Sequence, residues 1–150
     1  DHRDLHSFPT RRSSDLDTGF LYALVDDKDI HHNAVFEARS LVHGQIILPI
    51  PAVTEACYFV RRNLGMAALA DFLDSLTGTT DLLFEVPIAS DYTRSAEILR
   101  KYNDSNIDFV DACIVAMAER LNITKILTVD RRHFTMFRPA HCEVFEILPQ

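Results

Sequence analysis

Asp17, Glu55, Asp111 and Asp130 are acids set in apolar surroundings at the starts of helices or the ends of strands. Asp17 stands immediately before a helical pattern that opens at Thr18. Glu55 lies one turn into a helix begun by Pro51, in the context Ala52-Val-Thr-Glu-Ala-Cys57. Asp111 interrupts the otherwise apolar Phe109–Ala118, and Asp130 closes the apolar run Ile126-Leu-Thr-Val129. Asp108 precedes Asp111 by three residues. Carboxylates buried together repel and hold protons unless a cation joins them. An oxygen donor set, with no Cys pair and no suitably spaced His, selects a hard ion such as Mg²⁺ or Mn²⁺.

Each acid also has a purely local reading. Asp17 suits the N-cap of the helix that follows. Asp108 and Asp111 match an acidic variant of the capping box, and Glu55 near a helix start is favoured by the dipole. Four caps do not, however, require flanking sequence this apolar. The seven histidines form no HExxH-type pair, and solvated or locally capping roles are expected for all, including His31, His32 and His133.

The elements that must carry these acids follow from periodicity. Ile46–Leu48, Leu82–Phe84, Ile126–Val129 and Val144–Ile147 are short apolar runs with strand length. Helical patterns cover Phe20–Val25, Ala34–Val42, Pro51–Gly65, Met66–Leu76, Ser90–Tyr102 and Phe109–Leu121. Strands alternating with helices imply an α/β fold, a central parallel sheet of four to five strands with helices on both faces. Ligands of such sheets bind outside the carboxyl ends of the strands, where Asp17 and Asp130 would point. The four acids are therefore expected to converge at one end, with the Ile126–Val129 strand beside residues 13–17.

The chain has 150 residues, 47% of them hydrophobic, enough for one domain with a proper core. No run approaches the ~20 apolar residues of a membrane span. Cys57, Cys113 and Cys142 make an odd set without a CxxC, which argues against a disulfide framework or a zinc site and fits a reducing, cytoplasmic setting. The net charge of −7 is the wrong sign for a simple duplex-coating protein. It is compatible with a nuclease whose carboxylates hold metal cations.

Residues 1–16 stand apart. Ser7-Phe-Pro-Thr-Arg-Arg-Ser-Ser-Asp-Leu16 has neither helical nor strand period, and it resembles the translation of a common sequencing-adapter oligonucleotide. It is expected to be a non-native segment occupying the place of an apolar first strand, leaving 17–150 as the domain. Any strand formed here should be short, with Arg12 and Asp15 displaced toward solvent.

Taken in order, Asp17-Thr-Gly-Phe-Leu-Tyr-Ala-Leu24, Glu55 in its Pro-initiated helix, Asp108-Phe-Val-Asp-Ala-Cys-Ile-Val-Ala-Met-Ala-Glu-Arg120 and Ile126-Leu-Thr-Val-Asp-Arg-Arg-His-Phe134 resemble a PIN-domain ribonuclease, with the VapC-type toxins of bacterial toxin–antitoxin pairs the nearest in look. The resemblance covers Asp17 to about Glu146 and departs only in lacking the family's apolar first strand. It implies a Mg²⁺- or Mn²⁺-dependent endoribonuclease, usually a homodimer, restrained by a cognate antitoxin. The family's acids fall on Asp17, Glu55, Asp111 and Asp130, with Asp108 as an additional metal-side acid. Thr18 and Thr128 would support them, and Arg131 and Arg132 are candidates to meet the RNA backbone or form a solvated pair.

Two other motifs fail on context. Asp17-Thr-Gly19 is the aspartic-protease tripeptide, but here it occurs once and precedes a helix. Asp15-Leu-Asp17-Thr-Gly resembles a haloacid-dehalogenase phosphatase start, but Asp15 lies in the suspect segment. The remaining alternative is a catalytically weak PIN-like module that binds an antitoxin or RNA.

Overall fold

The computed structural model describes residues 13–150. The chain runs β1 (Ser14–Leu16), α1 (Thr18–Val25), α2 (His32–Leu41), β2 (Ile46–Pro49), α3 (Ile50–Leu64), α4 (Met66–Thr77), β3 (Leu82–Glu85), α5 (Ala89–Lys101), α6 (Phe109–Leu121), β4 (Lys125–Leu127), α7 (Arg131–Met136) and β5 (Glu146–Leu148). The strands form one parallel sheet in the order β3-β2-β1-β4-β5. Strand order reverses at β1, so the first and fourth strands lie side by side as the pattern requires.

Alternation along the strands divides the core into two layers. Leu16, Ile46, Leu48 and Leu127 pack with α1–α4 through Phe20, Val35, Val53 and Phe72. Ile47, Ile126 and Ile147 face α5–α7 through Ile98, Ile114, Phe134 and Phe137. Helix α6 is buried along Ala112–Ala118, which explains its uniformly apolar sequence. Bidentate Arg94–Glu119 bonds and the Arg120–Asp91 pair hold α6 against α5.

Three differences from the sequence expectations have local causes. The strand at Ile126 stops at Leu127, because beyond it the chain turns to aim Asp130 at a new helix. That helix, α7, has only six residues, too short for a periodic signal, yet it buries Phe134 completely. The last strand begins at Glu146 and not at Val144, in register with Lys125–Leu127.

The first strand is short, as expected, but Asp15 is not displaced to solvent. It is fully buried and sits in register between Ile47 and Ile126. Backbone pairing on both sides fixes β1, and Leu16 must enter the α1–α4 layer, so the pleat drives Asp15 into the opposite layer. Its Oδ1 accepts from the Leu16 amide at 3.0 Å, while Oδ2 and the hydroxyls of Ser13 and Ser14 have no partner among the described residues. Burial raises the Asp15 pKa well above the ordinary carboxylate range, with the Asp17 and Glu85 charges adding to it. Arg12 lies outside the described residues.

Candidate active site

The carboxyl ends of β1 and β4 lie side by side, and each is followed by an aspartate that starts a helix, Asp17 directly after β1 and Asp130 three residues beyond β4. Asp17 Oδ1 accepts from the Thr18 amide at 2.8 Å, capping α1. Asp130 Oδ1 accepts from the His133 amide at 3.2 Å, capping α7. At the start of α6, Asp111 donates its amide to Asp108 Oδ1 at 3.0 Å, and Asp111 Oδ2 accepts the Asp108 amide at 3.2 Å. The local readings of these acids are thus geometrically real. They do not compete with a shared site, because these helix starts and the first turns of α3 open onto one cavity. Asp17, Thr18, Glu55, Asp108, Asp111 and Asp130 all line its walls, and its volume is about 490 Å³.

Helix α3 brings Glu55 there because it follows β2 without a loop, Pro51 setting its first turn. Gly19 lets α1 approach the end of β4: a Cβ there would stand 2.8 Å from Val129 Cγ2. Thr128 lies behind the wall, fully buried, and donates its hydroxyl to Asp17 Oδ2 at 2.8 Å while accepting the Asp130 amide at 2.9 Å. One hydroxyl thereby ties the two strand-end aspartates together.

Concentrating acids has an electrostatic cost. Burial lifts the Asp17 pKa to about 6, opposed by the Thr128 and Thr18 hydrogen bonds and reinforced by Asp130 and Glu55. Burial together with the Asp108, Asp17 and Asp130 charges lifts Asp111 to about 8. Glu55 is also raised, again mainly by burial. Elevated carboxylates gathered in a cleft mark a site that prefers positive charge.

The donor set suits a divalent hard ion. Every acid offers oxygen, and the buried Thr18 hydroxyl on the cavity wall, which hydrogen-bonds toward Glu55, adds another. Among the described residues no three carboxylate, imidazole or thiol groups stand close enough together to grip an ion unaided. Asp17, Asp108, Asp111 and Asp130 each aim one oxygen at a backbone amide.

His133, expected to be solvated or to play a local capping role, is half-buried rather than solvated and contacts the aspartate that caps its own helix. It lines the cavity, its Nδ1 lying 2.8 Å from Asp130 Oδ2 and 3.6 Å from Asp111 Oδ2. The missed signal was its i+3 spacing from a helix-capping aspartate. Tyr22, Asn63 and Asn106 also line the cavity without having been singled out. Arg131 and Arg132 lie outside this lining. Arg131 Nη1 donates to the carbonyls of Ile147 and Pro149 at 3.3 and 2.7 Å, whereas the exposed Arg132 side chain makes no hydrogen bond or ion pair among the described residues. A second cavity of about 460 Å³, between α1 and α4, is lined by Leu21, Leu24, Phe72 and Leu76 and holds no comparable acid cluster.

A five-stranded parallel sheet with helix-capping acids gathered at the carboxyl end of its central strands is the architecture of a PIN-type fold. The family model for the PIN domain matches residues 16–137, and the chain belongs to that family. It is 32% identical over 134 residues to Ribonuclease VapC26 of Mycobacterium tuberculosis (strain ATCC 25618 / H37Rv), covering 89% of this chain and 98% of that protein. Among solved structures it is similar to M. tuberculosis VapC20, a Sarcin-Ricin loop cleaving toxin, with TM-score 0.70 at 19% identity over 75% of this chain and 86% of that one. VapBC2 from Rickettsia felis bound to a DNA fragment from its promoter gives TM-score 0.66 at 16% identity over 90% and 98%. A toxin–antitoxin complex from Klebsiella pneumoniae gives 0.63 at 14% identity over 83% and 92%. Among the described residues no helix is long and apolar enough to cross a membrane.

Proposed function

We propose that this chain is a Mg²⁺- or Mn²⁺-dependent endoribonuclease, the cytoplasmic toxin of a toxin–antitoxin pair, with its active site at Asp17, Glu55, Asp111 and Asp130. The observation that carries this reading is the opening of four helix starts onto one cavity, where burial and the neighbouring carboxylates raise the pKa values of Asp17 and Asp111. Asp17, Asp111 and Asp130 would hold the ion, with Asp108 assisting from the exposed rim. When bound, that ion supplies a water of lowered pKa and neutralises charge developing on the phosphoryl group.

The remaining work belongs to the chain's own groups. Thr128 orients Asp17 through Oδ2, and the Thr18 amide holds Oδ1, leaving the carboxylate little rotational freedom. Glu55, half-buried on the cavity wall, would position the attacking water at its carboxylate oxygens. Arg132, exposed beside Asp130, is the better candidate for the RNA backbone, since Arg131 is occupied with carbonyls of the C-terminal segment. Single-stranded or looped RNA is the expected substrate, because a flexible strand can bend into an acid-lined cleft. An antitoxin and a homodimer belong to this reading; two of the similar structures are toxin–antitoxin assemblies.

Incubation of the purified chain with structured RNA, with and without Mn²⁺, tests it. Metal-dependent cleavage that disappears in Asp17→Asn supports the reading. RNA or antitoxin binding without cleavage at any metal concentration would leave a binding module instead.

A further inference from the structure

Helices α1 and α3 face each other along the acid cavity in matched steps of four residues. On α1 these are Thr18 and Tyr22, and on α3 they are Glu55, Phe59 and Asn63, all of them on the cavity wall. Thr18 hydrogen-bonds toward Glu55 at the acid end. One turn on, the Tyr22 and Phe59 rings meet edge to face, their centres 6.4 Å apart and their planes inclined by 69°. Beyond the rings the Tyr22 hydroxyl meets Asn63. Asn63 stands about 12 Å of helix rise past Glu55. The cavity thus leads from a cluster of carboxylates, across two aromatic rings, to a neutral amide.

The orientation of that amide is fixed by its neighbours. Tyr22 donates its one proton to Asp26 Oδ2 at 2.6 Å, a short charge-assisted bond that holds the Asp26 carboxyl below its ordinary pKa range. The Tyr22 oxygen can then only accept, and it accepts from Asn63 Nδ2 at 3.1 Å. Arg62 Nε, which can only donate, holds Asn63 Oδ1 at 3.2 Å. Both partners demand the same orientation, with nitrogen toward Tyr22 and oxygen toward Arg62. Each amide atom keeps one further bond to offer, a donor beside an acceptor, and neither is used among the described residues. Asn63 is exposed, so the pair is open to a ligand.

We propose that Asn63 reads the edge of an unpaired nucleobase near the scissile phosphate, and that the base it favours is adenine. This inference rests on the ribonuclease reading and deepens it by naming what the site selects. A side-chain amide bonds adenine twice at once, accepting from its N6 amino group and donating to N7. The Tyr22 and Phe59 rings give the base an apolar surface beside that amide. The nearby acids favour an edge that carries an amino group over that of uracil, whose carbonyl oxygens they repel. Unpaired bases expose these edges to a protein, whereas paired ones in an RNA helix do not. Asn63 is a specificity-determining residue, and Tyr22 is a positioning residue that acts through it.

The probes are RNA hairpins with a uridine loop in which one position is A, C, G or U. The full chain is incubated with each in Mn²⁺, and kcat/KM and the cut position are read. Wild-type protein should favour the adenine loop over the all-uridine loop by roughly tenfold, cutting at a fixed distance from the adenine. Asn63→Ala should bring that ratio close to one by losing rate on the adenine loop. Tyr22→Phe, which frees the amide to turn, should lower the ratio several-fold. A partly unfolded variant slows all loops alike and leaves the ratio unmoved, so the ratio reads the amide and not the fold. Wild-type cleavage without preference for adenine, or a preference that survives Asn63→Ala, overturns this assignment and leaves the ribonuclease reading intact. A wild-type chain that cuts none of the hairpins defeats both readings together.

Discussion

The Thr128 hydroxyl donates to the Asp17 carboxylate across 2.8 Å, joining residues 111 positions apart at the tips of adjacent strands. The same hydroxyl accepts the Asp130 amide, so it sets the distance between two proposed ion-holding aspartates. Thr128→Val keeps the shape and removes both bonds. Cleavage should fall about 10- to 100-fold, the usual cost of losing a supporting hydrogen bond behind a metal ligand. Stability should fall by about 1–3 kcal/mol. Thr128→Ser should restore most of each, as read by initial rates and thermal melts.

Asp111→Asn tests the electrostatics. An acid whose folded pKa is raised binds its proton more tightly in the folded chain than in the unfolded one. Its stabilising contribution is therefore complete below about pH 4 and is lost as pH rises toward about 8. The amide cannot ionise and can still accept the Asp108 amide bond. The variant should lose metal-dependent cleavage, match or exceed wild-type stability at pH 8, and show a flatter stability–pH curve. Added Mn²⁺ should raise the wild-type melting temperature by mass action and raise that of the variant less.

Asp15→Val removes a buried acid that has one unpartnered oxygen in the middle of the sheet. The sign is the same as for Asp111: the raised pKa makes Asp15 a growing liability above about pH 4. Replacement should stabilise the chain by about 1–3 kcal/mol at neutral pH, with the gain shrinking in acid. Denaturant melts at several pH values provide the measurement. A destabilised variant would show that residues 13–16 belong to the native design.

Gly19→Ala tests the packing at the cavity wall without changing any charge. The added methyl meets Val129, whose branched side chain has little freedom to move aside. A cost of about 1–3 kcal/mol is expected, with reduced cleavage because α1 carries Asp17 and Thr18. Retained stability with reduced activity would place the effect in the site alone.

The alternation of strands and helices, and the five acids now found around one cavity, could be read before any coordinates because their signals are local. Asp111 stood out as one acid among nine apolar neighbours, and Pro51 announced the helix of Glu55. Asp15 misled because its charge suggested solvent, whereas its place was decided by the pleat and by pairing with Ile47 and Ile126. His133 was missed because α7 is too short to show a period, and because a histidine after two arginines looks solvated. What stayed hidden depends on contacts between segments distant in the chain, as between Tyr22 on α1 and Asn63 on α3.

Asp130 begins the same short helix whose first residue, Arg131, grips the carbonyls of Ile147 and Pro149. An ion held at Asp130, as proposed, would stiffen a helix that is fastened to the last strand. Amide hydrogens of Glu146–Leu148, which lie outside the cavity lining, should exchange more slowly once the cavity is filled. The C-terminal strand is in this sense a remote gauge of occupancy, readable by mass spectrometry with no RNA present.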